Sequence, residues 1–186
     1  MKWVSLFWVA SLVAQTTLAR PAQIILLRHA EKPADDFDVH LSPRGEERAL
    51  ALATFLTTTS ALLSNGPPVA LFASQPTPHQ RGSRASETLE PLAEHLKLRI
   101  RTPYLSKDYA ALAKQLLKSR SYEGKTVVVC WVHEWLPELA ESLGVEPKPE
   151  SWKKNVYDRV WVIRYSGKEA SLASLPQHLL PGDSRR

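Results

Sequence analysis

Ile24-Ile25-Leu26-Leu27-Arg28-His29-Ala30-Glu31 is the stretch on which the reading of this chain turns. Four consecutive apolar residues have the length of a buried strand. The side chains that leave it are a permanent cation and an imidazole. In an open α/β sheet, ligands bind just beyond the carboxyl ends of the strands. An arginine and a histidine in that place suit attack on an anionic centre such as phosphorus.

Working outward, short apolar runs alternate with stretches of helical spacing, the pattern of a sheet covered by helices. Strands are expected at residues 24–28, 69–73, 98–104, 125–132 and 156–165. The run Val127-Val128-Val129-Cys130-Trp131-Val132 belongs at the sheet centre, because it is apolar on both faces. Ser42-Pro43 is a helix start, with serine as N-cap and proline in the first turn. Ala49, Leu52, Ala53 and Leu56 give that helix its apolar face, and Asn65-Gly66-Pro67-Pro68 is expected to stop it. A second helix carries Arg84, Thr88, Leu92 and Leu96, and Pro91 is expected to kink or restart it. Helices follow at residues 109–117 and 136–143, the latter closed by Gly144. The tail from Pro176 onward is expected to fray. The fold class is α/β: a single three-layer domain with a mostly parallel central sheet and helices on both faces.

The 186 residues suffice for one domain with a substantial core. The amino terminus reads differently. Lys2 precedes the apolar run of residues 3–14, and Thr17-Leu18-Ala19 has small residues at the cleavage-determining positions, the pattern of a secretory signal peptide. That run is short for a transmembrane span. The expected organisation is a signal peptide at residues 1–19 and one domain at residues 20–186, in a secreted or periplasmic protein with no stable membrane association after cleavage. Loss of Lys2 leaves 23 basic residues against the 19 acidic ones, a net charge of +4. This modest, scattered excess favours small anionic partners and argues against nucleic acid. One cysteine, Cys130, excludes an intrachain disulfide and cysteine-based metal binding.

Three strand-to-helix junctions carry reactive side chains: Arg28 and His29, then Arg84, then His133 and Glu134. Parallel strands would bring all of them to one rim. The segments Leu27-Arg28-His29-Ala30, Leu41-Ser42-Pro43-Arg44-Gly45-Glu46-Glu47-Arg48-Ala49, Ser83-Arg84-Ala85-Ser86-Glu87-Thr88 and Val128-Val129-Cys130-Trp131-Val132-His133 resemble, in order and spacing, the motifs of the histidine phosphatase superfamily, in its phosphoglycerate mutase-like branch. Residues 28–33 and Tyr157-Asp158-Arg159-Val160-Trp161 are similar to a less characterised group within it. The resemblance covers residues 23–165. Ala30 stands where the family usually has glycine.

The resemblance implies a metal-independent phosphohydrolase, without cofactor, that cleaves phosphate monoesters through a phosphohistidine on His29. A neutral imidazole is available near pH 7. Its other nitrogen needs a carbonyl or carboxylate partner to fix the tautomer. Arg28, Arg84 and His133 would hold the phosphate oxygens, which is the main task in phosphoryl transfer. Glu134, directly after the second histidine, is the first candidate for general acid, with Asp108 and Glu31 as alternatives. Lys32 and Arg81 read as added positive field or as surface charge. Trp131 and Trp135 read as pocket wall or packing, and His40, His79, His95 and His178 as loop, surface or tail residues. The partner implied is a small phosphorylated substrate. A mutase fits less well, because the chain is short and lacks the mutase acid segment. The alternative is a non-catalytic phospho-ligand-binding protein of the same fold.

Overall fold

The computed structural model describes residues 20–35, 38–77 and 83–184. The expected signal peptide at residues 1–19 lies outside the described residues, as do His79 and Arg81. Strands β1 (Gln23–Arg28), β2 (Pro68–Ala73), β3 (Ile100–Arg101), β4 (Thr126–Trp131), β5 (Arg159–Ser166) and β6 (Glu169–Pro176) form one sheet in the order β3-β2-β4-β1-β5-β6. The pairs β1–β4, β2–β4 and β2–β3 are parallel. The pairs β1–β5 and β5–β6 are antiparallel.

β1 and β4 are central and buried along their whole length, which is why they read as unbroken apolar runs. Their side chains alternate between two cores. Ile24, Leu26, Val127, Val129 and Trp131 pack with Leu112 and Leu116 of α3 (Tyr109–Lys118) and with Leu136 and Leu139 of α4 (Leu136–Ser142). Ile25, Leu27, Val128 and Cys130 pack with Leu52 and Leu56 of α1 (Pro43–Thr58) and with Leu89 and Leu92 of α2 (Ser83–Leu96). The three layers follow from this alternation, with one helix pair on each face.

Local chemistry sets the helix starts. Ser42 Oγ accepts a hydrogen bond from the Gly45 N–H at 3.1 Å, and Pro43 occupies the first turn. α1 ends at Thr58, earlier than the Asn65-Gly66 signal, and a short 3-10 turn at Ser60–Leu62 fills the interval. α2 runs through Pro91 as one helix. Leu89, Leu92 and Ala93 are buried against the sheet around it, and that packing outweighs the missing proline N–H.

Two expectations are corrected. The strand at residues 98–104 shrinks to Ile100–Arg101 at the sheet edge, since Pro103 has no N–H to continue a ladder. The strand at residues 156–165 is not the last, and the tail from Pro176 to residue 184 is tied down and not frayed. β6 returns along β5 through Gly167 (φ 59°) and Lys168, a two-residue loop. Beyond β6, the Gln177 N–H donates to the Asp158 carbonyl at 2.8 Å, its side-chain amide donates to the Arg159 carbonyl at 2.9 Å, and the Asp183 carboxylate accepts the Leu179 and Leu180 N–H groups.

Candidate active site

The parallel strands β1, β2 and β4 end on the same edge of the sheet. β1 delivers Arg28 and, one residue on, His29. β4 delivers His133 and Glu134 at the start of a 3-10 turn spanning His133–Trp135. The connection after β2 leads to Arg84 in the first turn of α2. The His29 N–H extends the β1–β4 ladder by donating to the Trp131 carbonyl at 3.4 Å. Arg28, His29, Arg84, His133 and Glu134 all line one cavity of about 280 Å³, together with Lys32, Val132 and Lys154. The sequence-derived candidates from the three junctions therefore share a single concave space.

His29 is 7% exposed, and its Nδ1 lies 2.8 Å from the Ala30 carbonyl oxygen. A carbonyl only accepts, so Nδ1 carries the proton and Nε2 keeps its lone pair. Burial, followed by repulsion from Arg28, Arg84 and His133, drives the pKa of His29 down to about 3, against an opposing pull from the Ala30 carbonyl. The ring is neutral across the physiological range. The Ala30 N–H in turn donates to Thr88 Oγ1 at 2.9 Å, and that hydroxyl donates to the Arg84 carbonyl at 2.6 Å. One threonine of α2 thus ties the residue after His29 to the backbone of Arg84.

Both arginines are anchored to main-chain oxygens. Arg28 Nη1 donates to the carbonyls of Lys154 and of Val156 (3.3 Å), while its Nη2 donates to the Tyr157 hydroxyl at 3.1 Å. The Tyr157 ring centroid is 3.9 Å from the guanidinium carbon. Arg84 Nε donates to the His40 carbonyl at 3.1 Å and its Nη2 to that of Asp38. Such anchoring fixes each fork before any ligand arrives.

Three buried polar atoms on these residues have no partner: Arg28 Nε and both ring nitrogens of His133. Buried polar groups are almost always paired, so these atoms leave hydrogen-bonding capacity on two residues that line the cavity. Burial, then the charges of Arg28, Lys154 and Lys32, lowers the His133 pKa to about 4 against the opposing pull of Glu134. A bound anion would reverse the sign of that repulsion.

The three carboxyl candidates separate clearly. Glu134 is exposed and lines the cavity. Asp108 ends the 3-10 turn at Ser106–Asp108, before α3, and is not among the lining residues. Glu31 is turned away: Arg48 Nε lies 3.0 and 2.9 Å from its two oxygens, Arg48 Nη2 lies 2.8 Å from one, and Arg44 Nε lies 3.2 Å from the same one. Trp131 is fully buried and its indole N–H donates to the Ser106 carbonyl at 2.9 Å, so it is packing and not pocket wall. Trp135 stacks on Tyr109 with ring centroids 5.3 Å apart. His40 is exposed and bonds Glu87 at 2.6 Å.

The sequence reading passed over Lys154, Tyr157 and Arg48. Tyr157 stands in the Tyr157–Trp161 stretch and Arg48 in the Leu41–Ala49 stretch, so each lay within a segment already singled out. Lys154 had no motif to mark it.

No protein-family model matches the sequence, and neither does any curated protein. Solved structures do. An alpha-ribazole phosphatase from Shigella flexneri aligns with a TM-score of 0.59 at 15% identity, over 87% of this chain and 100% of that one. A phosphoserine phosphatase mutant from Entamoeba histolytica, in complex with phosphoserine, aligns with a TM-score of 0.58 at 18% identity, over 85% and 99%. A mycobacterial glucosyl-3-phosphoglycerate phosphatase with inorganic phosphate aligns with a TM-score of 0.57 at 14% identity, over 82% and 95%. At these identities the likeness speaks to architecture. The chain has the α/β fold shared by these phosphatases, as its resemblance to the histidine phosphatase superfamily implied.

Proposed function

We propose that this protein is a phosphohydrolase that cleaves phosphate monoesters through a phosphohistidine on His29. The observation that carries the reading is the geometry of one cavity. A neutral imidazole with its Nδ1 proton held by the Ala30 carbonyl lies among two anchored guanidinium groups and a second imidazole that lines the same cavity.

The chemistry proceeds in two displacements. The Nε2 lone pair of His29 attacks phosphorus in line, a P–N bond forms, and the P–O bond to the leaving group breaks. Arg28, Arg84 and His133 hold the equatorial oxygens, where charge accumulates. Glu134, in its protonated form, gives its proton to the departing alkoxide. Water then attacks the phosphohistidine, passes a proton back to Glu134, and the P–N bond breaks to release inorganic phosphate. His29 and Glu134 return to their starting states, and the scheme requires neither metal nor cofactor. General acid help of this kind is worth about 10²–10⁴-fold.

Export belongs to the same proposal. The leader-like residues 1–19 support a secreted or periplasmic location for the domain from Arg20 onward.

Steady release of phosphate from p-nitrophenyl phosphate, abolished in His29→Ala, tests the reading. Phosphate binding without turnover in the native chain would instead make it a phospho-ligand-binding protein.

A further inference from the structure

The phosphate cavity does not end at His133 and Glu134. Both residues, with Lys154, also border an adjoining cleft of about 450 Å³. This cleft lies between α4 and the segment that precedes β5. Pro137, Pro149 and Trp152 give it apolar wall, while its cations are Lys148, Lys153 and Lys154.

The charges are not equivalent. Lys148 is spoken for: its Nζ lies 2.8 Å from Glu138 Oε1 and 3.9 Å from Glu141 Oε2. Lys153 and Lys154 are exposed, and Glu134 is the acidic residue left to face them. Their backbone is fixed by the site itself. The Lys153 and Lys154 carbonyls both receive Arg28 Nη1, and the Trp152 indole N–H closes the same turn onto the Val156 carbonyl at 2.9 Å. Trp152 is itself buried against Trp161, with centroids 4.7 Å apart. Two adjacent exposed lysines thus project from a turn whose backbone is tied to Arg28, beside the cavity where the transferred phosphoryl would sit.

Resting on the phosphatase reading, we propose that this cleft is the leaving-group subsite and that it selects phosphate monoesters whose leaving group carries a second anionic group, a carboxylate or a further phosphate. The phosphoryl would sit against His29, the body of the substrate would pass His133 and Glu134, and the remote anion would meet Lys153 and Lys154. Glu134, at the junction of the two spaces, is where a bridging ester oxygen must pass. A remote anion at this distance acts on binding and orientation, not on the P–O bond.

The test compares benzylphosphonate with 4-carboxybenzylphosphonate, a matched pair that cannot be hydrolysed, by calorimetric titration of the full chain at low salt. The expected result is about fivefold tighter binding of the carboxylated member, the worth of one exposed charge pair at contact distance. That preference should vanish in Lys153→Ala/Lys154→Ala and invert in Lys153→Glu/Lys154→Glu. It should also shrink as salt is raised. Equal affinities in the native chain, or a preference that survives the double alanine variant, overturn the subsite. Absence of binding by either phosphonate overturns the anion site as a whole. Turnover is read separately with p-nitrophenyl phosphate: a preference without turnover removes the phosphatase reading and leaves the second-anion subsite standing.

Discussion

Arg48 grips the carboxylate of Glu31, two residues beyond His29, from a fully buried position in α1, with contacts of 2.8–3.0 Å. The same guanidinium reaches the far end of the chain through Asp183 at 2.6 Å and Gln177 at 3.0 Å. Burial opposes its charge, but the hydrogen bonds from Arg48 to Asp183 and Glu31 win and raise its pKa above the ordinary arginine value. Removing one partner of a buried pair leaves the others stranded, at a cost of about 3–5 kcal/mol. Arg48→Met should lose stability on that order in urea unfolding. Asp183→Asn should lose less, because Glu31 remains paired. Equal stability of Arg48→Met and the native chain would show that the clasp contributes nothing net.

Gly45 offers a second handle on the same loop. A Cβ there would stand 2.3 Å from the Glu31 carbonyl oxygen, the atom that also accepts the Ser42 N–H at 2.9 Å. Main chain faces main chain, so no flexible side chain can yield. Gly45→Ala is expected to cost about 1–3 kcal/mol by overpacking and to lower kcat more than it raises KM, because the shift falls on the turn holding His29. Thermal unfolding together with steady-state kinetics reads both effects.

The two imidazoles carry a pH signature. Burial first, then neighbouring positive charge, holds His29 down to about 3 and His133 down to about 4. In the unfolded chain each takes up a proton near pH 6.5. Between about pH 6.5 and 4 the unfolded state therefore binds more protons than the folded one, and stability must rise with pH across that window and fall as it is acidified. Ring-nitrogen chemical shifts should report two neutral rings from pH 5 to 8 in the anion-free protein, with His29 protonated at Nδ1. Added phosphate should raise the His133 pKa. Titration of His29 near 6.5 in the folded chain would contradict the burial argument.

Glu134 should betray its role through the leaving group. With p-nitrophenyl phosphate the departing oxygen needs little protonation, so Glu134→Gln should reduce kcat only slightly. With an alkyl phosphate the same variant should lose about 10²–10⁴-fold. A loss independent of the leaving group would assign Glu134 to binding and return the search for a proton donor to Asp108 or water.

What could be read in the sequence was whatever depends on local pattern. Ile24–Leu27 and Val127–Trp131 announced two central strands because both of their faces are covered, and Ser42-Pro43 announced α1 because the cap is built from adjacent residues. The rim assembly of His29, Arg84 and His133 followed from placing each at the carboxyl end of a strand, a rule of topology. β6 was missed because an edge strand with a half-exposed face has no continuous apolar run; Gly167 was the available clue, as it takes the positive φ that a two-residue hairpin loop needs. The clasp of Arg48 with Asp183 spans 135 residues and leaves no local trace. The surroundings of Glu31 were hidden for the same reason: proximity to His29 in sequence was visible, and its engagement by Arg44 and Arg48 was not.

The most direct test of the central claim is chemical capture of His29. The full chain is mixed with p-nitrophenyl phosphate, quenched rapidly in alkali, and its peptides are examined by mass spectrometry. The account requires one acid-labile phosphoryl group on the peptide containing His29, formed and consumed at rates compatible with turnover and absent from His29→Ala. Turnover at full rate with His29 never labelled, or a phosphorylated peptide that persists in His29→Ala, would contradict it.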